Sequence, residues 1–166
     1  MKPLAENVHL NPQGDALEIV DQTLLPAEKR LITLRTKEEL YHAIYSLQVR
    51  GAPAIGIFAG YALYVLAQQI DAPDFPAFYA QLAQDAAYLE ESRPTAVNLS
   101  WALRRMLQTA KAHADVSREA MLTLLLNEAT AIQQEDIAMN LQISRNGLSL
   151  LKPGDGILTH CNAGPL

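Results

Sequence analysis

The chain has 166 residues, 49% of them hydrophobic and 19% charged, with a formal net charge of −5. That is enough apolar material for a core and too orderly a composition for a disordered chain, and the negative balance excludes a general attraction to nucleic acid or anionic membranes. One cysteine excludes an internal disulfide, and with no secretion signal the reducing cytoplasm is the expected compartment. The lone cysteine and the widely spaced His9, His42, His113 and His160 make no zinc pattern, so no metal is expected.

In chain order, Ala16–Leu25 and Arg30–Arg35 are apolar, β-favouring runs separated by Pro26, and they predict two strands paired as a hairpin. Thr36-Lys37-Glu38-Glu39 is a capping box, in which the Thr hydroxyl and the Glu carboxylate each satisfy a free amide, and it predicts a helix from Lys37 to Leu47. Ala52–Ala67 is the longest uncharged apolar run. Its sixteen residues include Pro53, Gly56, Gly60 and Tyr61 and fall short of the ~20 a bilayer requires. A helix buried on all sides is expected instead, with Pro53 in its first turn and the two glycines admitting a close neighbour. Asp74 is placed to cap a helix reaching Glu91, and Pro94 to lie near the start of one reaching His113. Ser117 opens a helical tract to about Leu151, ended by Lys152-Pro153-Gly154-Asp155. Gly156–Gly164 reads as a buried strand running into a glycine turn.

These elements predict a mainly α fold. A helical N-terminal domain with a small β-hairpin spans residues 1–151, and residues 152–166 begin a second, Rossmann-like α/β domain with its first strand. A strand with no partner cannot satisfy its backbone groups, so the chain is expected to be the front part of a longer protein. Exposed apolar surface on such a part is expected to drive self-association.

Two loops carry arginines beside helix starts. Arg50-Gly51-Ala52-Pro53-Ala54-Ile55-Gly56 leads into the apolar helix, where free amides and the positive dipole end suit an anion. Gly51 permits close ligand approach, and Arg50 can clamp a phosphate. Arg93-Pro94-Thr95-Ala96-Val97-Asn98 repeats the arrangement. An arginine beside a helix start is more often an ordinary surface or ion-paired residue; two of them with a cysteine turn suggest a site for a phosphorylated small molecule. Cys161 reads as a reactive thiol at a strand end or as a small buried hydrophobe, and His160 faces the other side of that strand. In the long helix the apolar seam Met121, Leu125, Ala129, Ile132, Met139, Ile143 is interrupted by Asp136, with Asn140 one turn on. The pair reads as a structural hydrogen-bonding network, or as a support that orients a site arginine.

Three stretches, Arg50–Gly56, Arg93–Leu99 and Ile157–Gly164, resemble the signatures of the methylthioribose-1-phosphate isomerases, in the same order along the chain. The resemblance implies a cytoplasmic enzyme of methionine salvage that converts 5-methylthioribose 1-phosphate to 5-methylthioribulose 1-phosphate with no metal or other cofactor. It also implies a homo-oligomer, usually a dimer, with a helical first domain and a Rossmann-like second one. By the same resemblance Arg50, Gly51, Ala52 and Arg93 bind the sugar phosphate and Cys161 is catalytic. The family's aspartate acid/base comes from the second domain, so these 166 residues alone are expected to show no isomerase activity. The ribose-1,5-bisphosphate isomerases and the assembly-forming regulatory subunits of translation initiation factor 2B share the fold and stand as alternatives.

Overall fold

The computed structural model describes residues 7–158 and 160. Three short strands, β1 (Val8–Leu10), β2 (Leu17–Val20) and β3 (Leu31–Leu34), form an antiparallel sheet in the order β1-β2-β3. The expected hairpin is β2 with β3, in a register that opposes Ile19 to Ile32. The sheet adds β1, which the sequence reading left out because three residues with a polar centre carry little periodicity. Asn11 joins it to β2: its Oδ1 accepts from the amides of Asp15 at 3.0 Å and Ala16 at 3.1 Å, and Gly14 turns with φ 75°. Beyond Val20 the expected strand stops. Asp21 caps a short 3-10 turn over Gln22–Leu24 by accepting from Thr23.

Five helices follow: α1 (Lys37–Tyr45), α2 (Ala52–Gln69), α3 (Phe75–Glu91), α4 (Val97–Ala112) and α5 (Arg118–Leu148). The starts of three were legible. Thr36 and Glu39 form the reciprocal capping box of α1, Asp74 caps α3 through the Ala77 amide, and Ser117 caps α5 through that of Ala120. α2 is the central element, buried along Phe58–Ala67 and packed against α4 and α5. Its glycines act on different neighbours. A Cβ on Gly60 would lie 3.3 Å from Ile132 of α5, and one on Gly56 would lie 3.2 Å from the Asn98 carbonyl at the start of α4. Among the described residues no helix is long and apolar enough to cross a membrane.

The fourth and fifth helices differ from expectation at their ends. Pro94 does not sit in α4. Arg93, Pro94, Thr95 and Ala96 make a turn closed by the Ala96 amide to the Arg93 carbonyl at 3.0 Å, with Pro94 at the position where its fixed φ suits a turn, and the helix begins after it. α5 ends at Leu148 rather than Leu151. At 156–158 the expected buried strand is absent: these residues form no strand, Ile157 is 73% exposed and Leu158 98%. No strand runs beside them among the described residues, so nothing there can pair with their backbone.

Candidate functional site

The helix starts divide into two kinds. α1, α3 and α5 each receive a side-chain cap, whereas α2 and α4 have none, and neither carries an acidic residue in its first turn. These two are the helices that follow the arginine loops. Gly51, at φ 99°, occupies the cap position of α2 in a conformation that strains any other residue, and it leaves the first amides of that helix uncapped. Ala96, in an ordinary extended conformation, likewise gives α4 no side-chain cap. A helix start that lacks both a capping oxygen and an acid keeps its amides and its dipole for an outside anion.

The structure brings the two loops together. Asn98 Nδ2 donates to the Ala52 carbonyl at 2.9 Å, and the close approach at Gly56 lets the first turn of α4 lie against the first turn of α2. Arg50 is exposed and Arg93 half-buried. Arg50 is held from behind: its Nε donates to Gln22 Oε1 at 3.2 Å. The Gln22 amide donates to the Gln48 carbonyl at 3.0 Å, and Gln48 Nε2 donates to Asp21 Oδ2 at 2.9 Å. Burial raises the pKa of Asp21, but the bonds it accepts from Thr23 and Gln48 outweigh this and hold it below the ordinary value. The carboxylate therefore stays charged to anchor the Arg50 loop. Asp21, Gln22 and Gln48 were missed by sequence reading. The Asp-x-Thr capping pattern at residues 21–23 was the available signal.

α5 runs antiparallel to α2, since Arg118 donates to the Gln68 carbonyl at 2.7 Å while Tyr61 donates to Gln133 Oε1 at 2.6 Å. Asp136 therefore lies about one turn beyond Ile132 and Gln133, which meet Gly60 and Tyr61 of α2, on the side toward the start of α2. It is half-buried, burial raises its pKa, and Asn140 opposes the shift. Asn140 Nδ2 donates to the Asp136 backbone carbonyl at 2.9 Å. Among the described residues no ion pair joins Asp136 to an arginine. The local pair exists; the arginine partner does not appear. Cys161 lies outside the described residues.

A cleft of about 560 Å³ lies elsewhere, lined by Lys37, Gln69, Asp71, Gln81 and Asp85 among others. It opens at the C-terminal end of α2, opposite the arginine loops, and burial raises the pKa of its Asp85. Its place at the other end of α2 makes this cleft a separate feature.

The initiation factor 2 subunit family model matches residues 48–166, a span that begins just before Arg50 and includes both arginine loops. The chain belongs to that family. Among curated relatives, a methylthioribose-1-phosphate isomerase of Symbiobacterium thermophilum is 52% identical over 97% of this chain and 45% of its own length. A 5-deoxyribose 1-phosphate isomerase of Moorella thermoacetica is 51% identical over 90% of this chain and 43% of its own. The crystal structure of 5-methylthioribose 1-phosphate isomerase from Pyrococcus horikoshii OT3 superposes with TM-score 0.87 at 36% identity, over 96% of this chain and 44% of that one. The delta subunit of translation initiation factor eIF-2B from A. fulgidus superposes at 0.82 with 35% identity, over 96% and 45%. The chain thus spans somewhat less than half the length of the relatives it matches.

Proposed function

We propose that this chain is the phosphate-binding half of an aldose–ketose isomerase acting on a 5-substituted ribose 1-phosphate, with 5-methylthioribose 1-phosphate as the substrate. The observation that carries this reading is the juxtaposition of two uncapped helix starts, each behind an arginine, joined by Asn98 to Ala52. Arg50 and Arg93 pair with the phosphate, and the backbone at Gly51 and Ala52 comes within hydrogen-bonding reach of it. Cys161 supports the proton movement, and Asp136 with Asn140 shapes the wall beside the start of α2. No cofactor takes part.

The reaction explains the division of labour. A phosphate on C1 of the ring blocks simple ring opening, so hydrogen must leave C2 and return at C1 while the anion stays fixed. Arginines fix the anion; they do not exchange protons at neutral pH. The acid/base belongs to a second domain whose first residues are 152–166, and this chain alone binds without turning over. The printed names of the relatives support both a methylthio and a deoxy substituent at C5. The likeness to an initiation factor subunit supports a second reading, a non-catalytic assembly module, in which the arginine loops have no ligand.

Calorimetric titration with 5-methylthioribose 1-phosphate, beside the unphosphorylated sugar, tests the proposal. Phosphate-dependent binding is expected, weakened about 10- to 100-fold by Arg50→Ala, as a lost charge-assisted bond implies. Absence of phosphate-dependent binding up to millimolar sugar phosphate sinks the site. Turnover by the chain alone in a coupled assay refutes the need for a second domain.

A further inference from the structure

Asn11, Gln22 and Gln133 are the buried amide side chains among the described residues, and two of them use both ends of the amide. Asn11 accepts from Asp15 and Ala16 and donates to Gln13 and Asp15. Gln133 accepts from Tyr61 and donates to the Val8 carbonyl. Gln22, only 7% exposed, is the exception. Its Oε1 accepts from Arg50 Nε, and because a guanidinium can only donate, the atom facing Arg50 must be the oxygen. The other end, Nε2, carries two N–H donors and meets no acceptor among the described residues. Nor is it sealed in. His9 Nδ1 is the one buried side-chain atom without a partner among those residues, so Gln22 Nε2 reaches open space. Buried amides normally satisfy both ends, and this one keeps its donors at the mouth of the site, beside an exposed arginine.

We infer that Gln22 is a ligand contact of the sugar-phosphate site: its Nε2 donates to an oxygen of the same phosphate that Arg50 holds. The inference rests on the assignment of Arg50 to a phosphate. The oxygen and nitrogen of an amide lie about 2.3 Å apart, so Nε2 is at most about 5.5 Å from Arg50 Nε. The oxygens of a phosphate are ~2.5 Å apart and each accepts at ~2.9 Å, so one phosphate can bridge two donors at that separation. The backbone keeps the pair in register. The Gln22 amide donates to the Gln48 carbonyl at 3.0 Å, and Gln48 Nε2 donates to Asp21 Oδ2 at 2.9 Å, which ties the turn of Gln22 to the loop of Arg50. Gln22 then serves twice, with its oxygen on the arginine and its nitrogen on the anion.

Chemical-shift titration of the 166-residue chain with 5-methylthioribose 1-phosphate tests the contact, with Arg50→Ala, Gln22→Met and the double variant beside it. Methionine keeps the buried volume and removes both ends of the amide. A role confined to holding Arg50 vanishes once Arg50 is gone, whereas a direct contact persists. Gln22→Met is expected to weaken binding about 3- to 10-fold in the wild-type chain and at least ~3-fold in the Arg50→Ala background, as one hydrogen bond implies. In the wild-type chain the Gln22 side-chain amide signals, identified by their loss in Gln22→Met, shift on saturation. A Gln22→Met substitution that is neutral in the Arg50→Ala background, or amide signals that stay in place while the chain binds, overturns the contact and leaves the Arg50 site standing. A wild-type chain that binds no sugar phosphate overturns both. Gln22→Glu serves if the methionine variant does not fold, because it keeps an acceptor for Arg50 and puts an anionic oxygen where the donor was. It is expected to weaken binding at least ~10-fold, and unimpaired binding overturns the contact.

Discussion

The two halves of α5 carry the same apolar rhythm and meet opposite fates. In the first half Met121, Leu125, Ala129 and Ile132 are at most 3% exposed, locked against α2 and α4. In the second, Met139 and Ile143 stand on the same face and are more than half exposed. A clamp marks the boundary. Arg105 of α4 bonds Glu128 and, with Nη2 at 2.7 Å, Glu135, and among the described residues none of α5 beyond Gln133 is buried. Periodicity thus identifies the face a helix would bury; whether anything covers it depends on where the neighbours end.

The largest effect that separates the halves is a cavity. Leu125→Ala, at a fully buried position, is expected to lower unfolding stability by about 2–5 kcal/mol. Ile143→Ala, at an exposed position, is expected to change it by no more than ~0.5 kcal/mol in urea unfolding. A comparable loss at both sites would mean that the second half of α5 is packed within the single chain, and the contrast would fail.

The helical glycines sharpen the same contrast by sign. Gly56→Ala sets a methyl 3.2 Å from the Asn98 carbonyl, a backbone atom that cannot swing aside, so about 1–2 kcal/mol of overpacking should exceed the gain in helix propensity. It should also push apart the two arginine loops and weaken sugar-phosphate binding, which a calorimetric titration reads directly. Gly147→Ala meets nothing and should stabilise by up to ~1 kcal/mol. A stabilising Gly56→Ala would show that α4 yields easily at its start, and that the close approach does not set the site.

Much of this was legible where the chemistry is local. The capping box at Thr36, the caps at Asp74 and Ser117 and Pro53 in the first turn of α2 each follow from residues within one helical turn. The arginine loops were also legible as helix starts. Their meeting was not, because Asn98 and Ala52 are 46 residues apart and nothing in either segment names the other. The glycine spacing announced a close neighbour for α2 but not that Gly56 serves α4 and Gly60 serves α5. β1 escaped notice since its pairing depends on the Asn11 turn more than on its own three residues. The expected strand at 156–158 shows the reverse error: an apolar run was read as buried, although burial requires a partner that residues 7–158 do not supply.

Asp136 stands at the border between the two halves and gives the smallest and most discriminating test. Burial raises its carboxyl pKa above the ordinary value, so the folded chain holds this proton more tightly than the unfolded chain does. Stability therefore falls as pH rises from the unfolded value near 4 through the folded one, and it stays at the lower level above that. Asp136→Asn removes the ionisation and should flatten this part of the pH–stability curve of the chain, with its gain present at neutral pH and absent below about pH 4. A slope indifferent to the substitution would place Asp136 in open solvent on the uncovered side of the boundary. The divide between the halves would then fall at Gln133, one helical turn earlier than the burial of Asp136 implies.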